Sequence, residues 1–414
     1  MKLSHLFETS KITLLEVKAR IEHPEDLIWD SGSAGARQAL HILAQSAARP
    51  EHVSVKWDGS PALVAGWLGD KFMLTDKAGF SAKGYNGLTT SAQELEAMIL
   101  NRKIKLDTPE ARESRQSYAR KIAKLYPLLK KVIPPHMQGF VQGDLLWTET
   151  PDRSDGDYVF QPNKIKYEVP ISSPLGEQMA RSKVGIVFHS RLDSQEDHEP
   201  SALRNPTQQG ILSTPDVVVM PHEMNFTYSF QLNDSLKRAV EQMLTSKGAQ
   251  LDEFFNSTKL AEKQIKGLPM VMKSFLAHKA GEGDADMSRA GAEFLNYLDM
   301  PKSKVSEKAK QNMLEWIKSH EAGYETIWQL VALIQSLKLD LKAQMDDVAS
   351  NEVKASLGDL PGHEGFVSVT PSGTIKLVNR SQFMKKELTE SDQSVPVENK
   401  AVFTFMRVNP PKRK

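Results

Sequence analysis

VSVKWDGSPALVAGWL occupies residues 53–68, and its reading decides the fold. Val53 and Val55 alternate with polar neighbours, a DGSP turn follows, and ALVAGWL resumes an apolar run. That pattern predicts strand, tight turn, strand. Lys56 closes the first strand, and a lysine followed by x-Asp-Gly has a chemical logic. A protonated amine is a poor nucleophile. Burial and nearby cations depress its pKa and expose the neutral amine, which can attack an α-phosphate and release pyrophosphate. In that reading Asp58 orients the amine or a metal-bound water, and Gly59 lets the backbone pass close to a nucleotide. A hairpin turn with an exposed lysine would leave the same four residues, so the motif needs companions.

Outward from this stretch the period of the apolar residues changes several times. Residues 1–50 read as helical, with Ser33 as a cap for a helix whose face is Ala36, Leu40 and Leu43. KFMLTDK (71–77) reads as a third strand, and 90–131 as helix again. Strand-like runs then recur over 139–229: GFVQGDLLW, KIKYEVP, KVGIVFHS and DVVVM. From about 233 to 350 the pattern is all helix, with Asp234 as a candidate first cap and a stripe of Ile327, Leu330, Val331, Ile334, Leu337 and Leu341 on the last helix. EGFVSVT, TIKLVN and AVFTFMRV return to strand. The expected division is 1–230 as the first part of a core, 231–352 as a helical insertion able to bury its own interior, and 353–414 as the rest of that core.

Composition narrows the classes. With no cysteine, disulfides, thiolate metal sites and cysteine nucleophiles are out, which fits a reducing cytoplasm. No apolar run approaches the roughly 20 residues of a membrane span, and MKLSHLFETSK lacks the apolar centre of a signal peptide. A net charge of +1 means that a nucleic-acid partner needs a local basic surface. Arg102, Lys103, Lys105, Arg112, Arg115, Arg120, Lys121, Lys124, Lys130 and Lys131 offer one, or simply form a solvated helix face.

The companions of Lys56 occur in a telling order. KWDG at 56–59, Gly143-Asp144 in FVQGDLLW, KVGIVFHS, EGFV at 364–367 and TIKLVNRSQF resemble the motifs of the covalent nucleotidyltransferases: ATP-dependent DNA ligases, RNA ligases and capping enzymes. The resemblance implies an α+β, ligase-like fold of ATP-grasp-like antiparallel sheets, here with a large helical insertion. It makes Lys56 the nucleophile and Asp144 a ribose or metal contact. Phe188 becomes the ring that stacks on adenine, Glu364 a second metal carboxylate and Lys376 a phosphate contact. TDKAGF puts Lys77 at the second lysine of the RNA ligases, whereas Pro61 stands where DNA ligases carry arginine. The implied cofactors are ATP and Mg²⁺ or Mn²⁺, and the implied partner is a nucleic-acid strand end. Asp144 is one methylene shorter than the usual glutamate, the usual Lys-x-Lys is reduced to Lys376, and the stretch after Lys376 is too short for an oligonucleotide-binding barrel.

A second resemblance, to an uncharacterised family of large tailed-phage proteins, covers most of residues 20–190 through IEHPEDLIWDSGSAGARQAL, VSVKWDGSPALVAG, VQGDLLWT, FQPNKIKYEVP and KVGIVFHS. It implies a phage origin, hence the host cytoplasm, and no activity. Within it Glu22, His23, Glu25 and Asp26 form a polar cluster that either lines the site or, more plainly, starts a helix. His189 and His363 sit beside motif residues, where a single histidine is usually packed or solvated. The expected function is an ATP-dependent polynucleotide ligase acting through lysyl-AMP, with RNA favoured. The alternatives are a transferase with another acceptor (an RNA end or a protein) and a non-catalytic phage protein on a ligase-like scaffold.

Overall fold

A computed structural model describes residues 21–102, 108–192, 201–203, 206–221 and 229–384. The expected closing strand AVFTFMRV, the first 20 residues, Lys103 and Lys105 lie outside them. A short turn, Pro24–Asp26, leads into α1 (Leu27–Ala48). Next come β1 (Val53–Lys56), β2 (Ala62–Leu68), β3 (Lys71–Asp76), α2 (Lys77–Lys83), α3 (Ala92–Leu100) and α4 (Pro109–Val132). β4 (Gly139–Trp147), β5 (Asp152–Ser154), β6 (Asp157–Phe160), β7 (Lys166–Pro170), α5 (Pro174–Met179), β8 (Val184–Leu192), β9 (Ser201–Ala202) and β10 (Val217–Val219) follow. The helical block comprises α6 (Asp234–Phe254), α7 (Ser257–Glu262), α8 (Leu268–Gly281), α9 (Ala290–Tyr297), α10 (Glu307–Ser319) and α11 (Glu321–Ala349). β11 (Lys354–Leu357), β12 (Leu360–Pro361), β13 (Gly365–Thr370), β14 (Gly373–Val378) and α12 (Arg380–Met384) complete the described chain.

The strands form three sheets, so the fold is α+β. β1, β13 and β14 make one, in that order; β10-β8-β4-β2-β3 with β9 beside β8 make the second; β12-β11-β7-β6-β5 make the third. Among the described strands every pairing is antiparallel except β10 with β8. β1 pairs with β13, Lys56 opposite Gly365, so strands far apart in the chain share one sheet.

Two apolar interiors hold these layers. Phe366, Ile375 and Leu377 on one face of the three-stranded sheet pack in the same cluster as Ala36, Leu40 and Leu43 of α1. Leu63, Phe72, Leu145 and Phe188 of the six-stranded sheet pack with Leu95 of α3 and Ile122, Leu125 and Leu129 of α4. The helices fall where their periodicity predicts, but they do not form a lobe with a private interior. Ile334, Leu337 and Leu341 of α11 belong to the same cluster as α1, Val55, Tyr158 and Tyr167. The division at 231 and 352 therefore runs through one continuous core.

Two caps differ from expectation for physical reasons. α1 begins at Leu27 and breaks at Ser31–Gly32, where Gly32 has φ +56°, a left-handed conformation that favours glycine. The second half starts at Ser33, but Ser33 donates its N–H and hydroxyl to Asp252 of α6 (2.8 and 2.7 Å), so the anion at this helix start comes from the helical block. In α6 the cap is Asn233, one residue before Asp234; its side chain accepts from the Ser235 and Leu236 N–H groups.

The acids at 22–26 neither line the Lys56 site nor serve as plain helix-start charges. Glu25 and Asp26 are buried and ion-paired, Glu25 to Lys338 of α11 (2.6 Å) and Asp26 to Arg380 of α12 (2.7 Å). Glu22 meets Lys273 of α8 at 2.8 Å, and its carbonyl accepts the Lys376 N–H at the edge of β14. Within the described residues no helix is long and apolar enough to cross a membrane.

Candidate active site

β1 ends at Lys56 and β2 begins at Ala62, which sits opposite Asp144 of β4. The loop between them joins the three-stranded and six-stranded sheets, and the candidate residues collect around it. Lys56 Nζ lies 2.5 Å from Glu364 Oε1, with the lysine side chain 35% exposed and the glutamate 6%. Glu364 precedes Gly365, the residue paired with Lys56; a Cβ at Gly365 would stand 2.2 Å from the Leu377 carbonyl oxygen, so only glycine fits there. His363, buried, anchors this corner to α11 through Asp346, which accepts the His363 N–H at 3.1 Å.

The electrostatics run against one expectation. Burial lowers the Lys56 pKa, but the Glu364 carboxylate, with Asp58 and Asp144 behind it, outweighs burial and raises it. The resting lysine is a protonated, paired ammonium, because its neighbours are anions and not the expected cations. Burial lifts the Glu364 carboxyl to about 7, Lys56 opposing and Asp58 and Asp144 adding to the lift. Its second oxygen, Oε2, is buried without a hydrogen-bond partner.

Asp58 plays a different part from the one its motif suggested. Its carboxylate accepts from Asn163 Nδ2 (2.7 Å), Lys164 N (2.6 Å) and Ile165 N (2.9 Å), and its own N–H donates to Tyr167 Oη (2.8 Å). Three bonds to one carboxylate are a strong fixture. Asp58 thus latches the loop after Lys56 to the 161–165 loop and does not reach toward the amine. Gly59 is needed for packing: a Cβ there would lie 2.6 Å from the Asp144 Cβ and 3.0 Å from the Leu145 carbonyl. Gly59→Ala is expected to push this loop off β4 and to cost about 1–3 kcal/mol, seen as a lower urea midpoint; an unchanged midpoint would show that the loop shifts freely.

On the facing strand, Asp144 Oδ2 lies 3.3 Å from His189 Nε2, and His189 Nδ1 lies 2.8 Å from Ser190 Oγ. Burial raises the Asp144 pKa, but His189, and after it Lys56 and Lys77, bring it below the usual carboxylate value. Lys77, exposed, starts α2 directly after Asp76, whose side chain accepts from Gly79 N and is held by Arg102 and by the Tyr118 hydroxyl (2.9 Å). Lys376 lies on the Lys56 face of the three-stranded sheet, in the row Ser54–Val367–Lys376 next to Lys56–Gly365–Val378.

Phe188 is not part of the site. It pairs with Gly143, points to the opposite face from Asp144, and is fully buried among Leu63, Leu145 and the α3–α4 residues. A base has no access to its ring. Val187 pairs with Asp144 and shares its face, so plain alternation turns Phe188 to the other face. A β-bulge follows: Gln142 pairs with Ser190 and Gly143 with Phe188, so His189 is the extra residue. Alternation puts His189 on the Asp144 face with Val187, and the bulge brings Ser190 onto that face as well. No sequence signal marked the bulge, and none singled out Asn163 or Tyr167.

Among the described residues no group of three or more His, Asp and Glu forms a metal cage. Asp144 on β4 and Glu364 just before β13 both act on Lys56, and the bare Glu364 Oε2 suits a hard cation that takes its remaining oxygens from phosphates and water. The basic run splits in two. Arg102 is committed to Asp76, and buried Arg115 donates to the Ile99 and Arg102 carbonyls. Arg112, Arg120, Lys124, Lys130 and Lys131 stay exposed on α4, which covers the sheet face away from Asp144. A depression of about 330 Å³ at the α1 break, lined in part by Trp29, Asp252 and Lys266, includes none of the Lys56 site residues.

The chain is therefore an α+β protein of antiparallel sheets whose polar site pairs a lysine with a buried glutamate. Residues 19–392 match the model of a family of unknown function, DUF6267, and the chain belongs to that family. No curated protein and no solved structure matches it.

Proposed function

We propose that the protein is a covalent nucleotidyltransferase on a ligase-like fold, an ATP-dependent polynucleotide ligase with RNA strands as its favoured substrate. The observation that carries this reading is the Lys56–Glu364 pair: one lysine, partly exposed, beside a buried carboxyl whose pKa of about 7 suits it to take a proton near neutrality. Lys56 Nζ attacks the α-phosphorus of ATP. The Lys56 ammonium gives one proton to Glu364, which frees the Nζ lone pair; a P–N bond forms, the P–O bond to pyrophosphate breaks with its electron pair leaving on pyrophosphate, and the second N–H proton is lost to pyrophosphate or water. Lys77 beside Asp144 and Lys376 on the sheet face supply positive charge toward the phosphates. Mg²⁺ would be held by Glu364 and Asp144 and would neutralise phosphate charge.

ATP radiolabelled at its α-phosphate tests the reading. The expected result with Mg²⁺ or Mn²⁺ is label that survives denaturation and maps to the peptide containing Lys56, and that Lys56→Ala loses. No covalent label in the wild type would leave the scaffold without this chemistry; equal label in Lys56→Ala would move the nucleophile elsewhere.

A further inference from the structure

α4 carries a row of cations that its own chain does not neutralise. From Ser114 to Gly143 the sequence holds no Asp or Glu, yet besides the buried Arg115 it holds Arg120, Lys121, Lys124, Lys130 and Lys131. Ile122, Leu125 and Leu129 pack toward the sheet, so Arg120, Lys124 and Lys131, at helical spacing on the opposite side, face solvent. Among the described residues none of these five makes an ion pair; Arg120 reaches the Gln116 side chain at 3.5 Å and Lys130 lies 5.6 Å from the centre of the Trp67 ring. Lys131 acts on Asp216, whose carboxylate is bound by Lys183 at 2.9 Å, so the row runs on to the cation just before β8. Like charges three and four residues apart, Lys121 and Arg120 with Lys124, repel and weaken a helix. Lys130 and Lys131 also answer the negative end of the helix dipole. Arg120, Lys121 and Lys124 sit about two to three turns before that end and do not.

A polyanion lying along the helix removes that repulsion. From Arg120 to Lys131 the row is about 16 Å long, a length over which one strand of a double helix carries about five phosphates. A protein partner fits less well. Interfaces between proteins are centred on buried aromatic or apolar anchors, and from Ser114 onward the exposed residues of α4 are polar or charged apart from Pro127. A helix that inserts into a membrane surface needs a free apolar face, and the apolar face of α4 is packed on the sheet. We propose that the Arg120–Lys131 face of α4, with Lys183 beside it, binds the phosphate backbone of a nucleic acid without reading its bases. A strand held there lies across the six-stranded sheet from Asp144, so α4 holds the body of a polynucleotide and not the end that reacts at Lys56. The surface needs neither ATP nor Lys56 to work.

Short fluorescein-labelled RNA and DNA, single- and double-stranded, titrated without ATP or divalent metal and followed by anisotropy, test the surface. Wild type is expected to bind and to lose about a hundredfold in affinity between about 50 and 200 mM salt, as the release of a few counterions requires. The triple variant Arg120→Glu, Lys124→Glu, Lys131→Glu is expected to bind about tenfold or more weakly at the lower salt, with its log–log salt slope reduced by about 2, and to keep its Lys56 labelling. The same three residues changed to Gln remove the charges without adding repulsion; the slope is expected to fall by as much, and this variant decides the matter if the reversed one does not fold. Lys263→Glu, Lys308→Glu, Lys318→Glu makes the same change in net charge at exposed positions of the helical block and is expected to bind as wild type does. A wild type that does not bind, or a helical-block variant that loses as much as the α4 variant, would overturn the proposal. So would polyglutamate or anionic vesicles competing as well as unlabelled RNA, since any polyanion would then serve. Binding that depends on α4 in a wild type that forms no lysyl-AMP would instead overturn the ligase reading and leave this surface standing.

Discussion

Glu364→Gln is expected to slow nucleotidylation of Lys56 by about two orders of magnitude at pH 8, while the same lysine reacts faster with a small acylating reagent. The two effects have one cause. Glu364 is the strongest influence raising the Lys56 pKa, against burial, which lowers it. Glutamine removes that charge, so the lysine pKa falls, and each unit gives about tenfold more free amine near neutrality. A small reagent needs only the free amine and gains. Nucleotidylation also needs an acceptor for the departing proton and an anionic oxygen on the phosphate side, and the amide supplies neither. The pH dependence carries the sign. With its carboxyl at about 7, Glu364 takes up a second proton for the pair below that pH, no acceptor remains, and the wild-type rate falls about tenfold per unit. Above about 7 the pair holds one proton and the rate levels. The glutamine variant has no inflection there and keeps rising into the alkaline range. Timed radiolabelling and mass spectrometry of the Lys56 peptide measure both reactions. If the variant gains in both, Glu364 merely restrains the lysine.

The parts of this site that were legible in the sequence are those that short backbone patterns encode. Strand, DGSP turn and strand follow from residue alternation and turn chemistry, and EGFV fixes Glu364 because Gly365 can pack where a side chain cannot. The structure then pairs the strand ending at Lys56 with the one that starts just after Glu364. What was not legible depends on register and on long-range partners. The aromatic of VGIVFHS was assigned to the wrong face because alternation defines two faces, and only the pairing of Val187 with Asp144 says which of them is the site's. Asp58 reads as a site acid until Asn163 and two backbone N–H groups occupy its oxygens. Glu25 and Asp26 look like helix-start acids, since nothing local announces that Lys338 and Arg380 will close over them. The same blindness separated the helices from the sheets: periodicity shows that α11 has an apolar face, not what that face meets.

The largest expected stability loss lies at that seam. Lys338→Met is expected to destabilise the protein by about 3–5 kcal/mol, measured by urea unfolding near neutral pH. Lys338 is 0% exposed and Glu25 1%, and the lysine Nζ is the close partner of Glu25 Oε1, with Arg380 more distant at 3.5 Å. Methionine fills much the same volume, so little packing is lost and the deficit measures a carboxylate stranded in the core. Burial and the neighbouring Arg380 lower the Lys338 pKa while Glu25 and Asp26 hold it up, so the pair survives on mutual support. Removing both charges should then cost less than removing one: Glu25→Gln with Lys338→Met is expected to recover most of the loss, with Asp26 and Arg380 still paired. Acid pH, by protonating the stranded carboxylate in the single variant, is expected to shrink its deficit, because the folded state then binds a proton that it otherwise excludes. A deficit that is independent of pH, and equal in single and double variants, would mean that α11 is held to the core by its apolar face alone. The ion pairs would then act only to set where α11 sits, a positional role that stability measurements do not register.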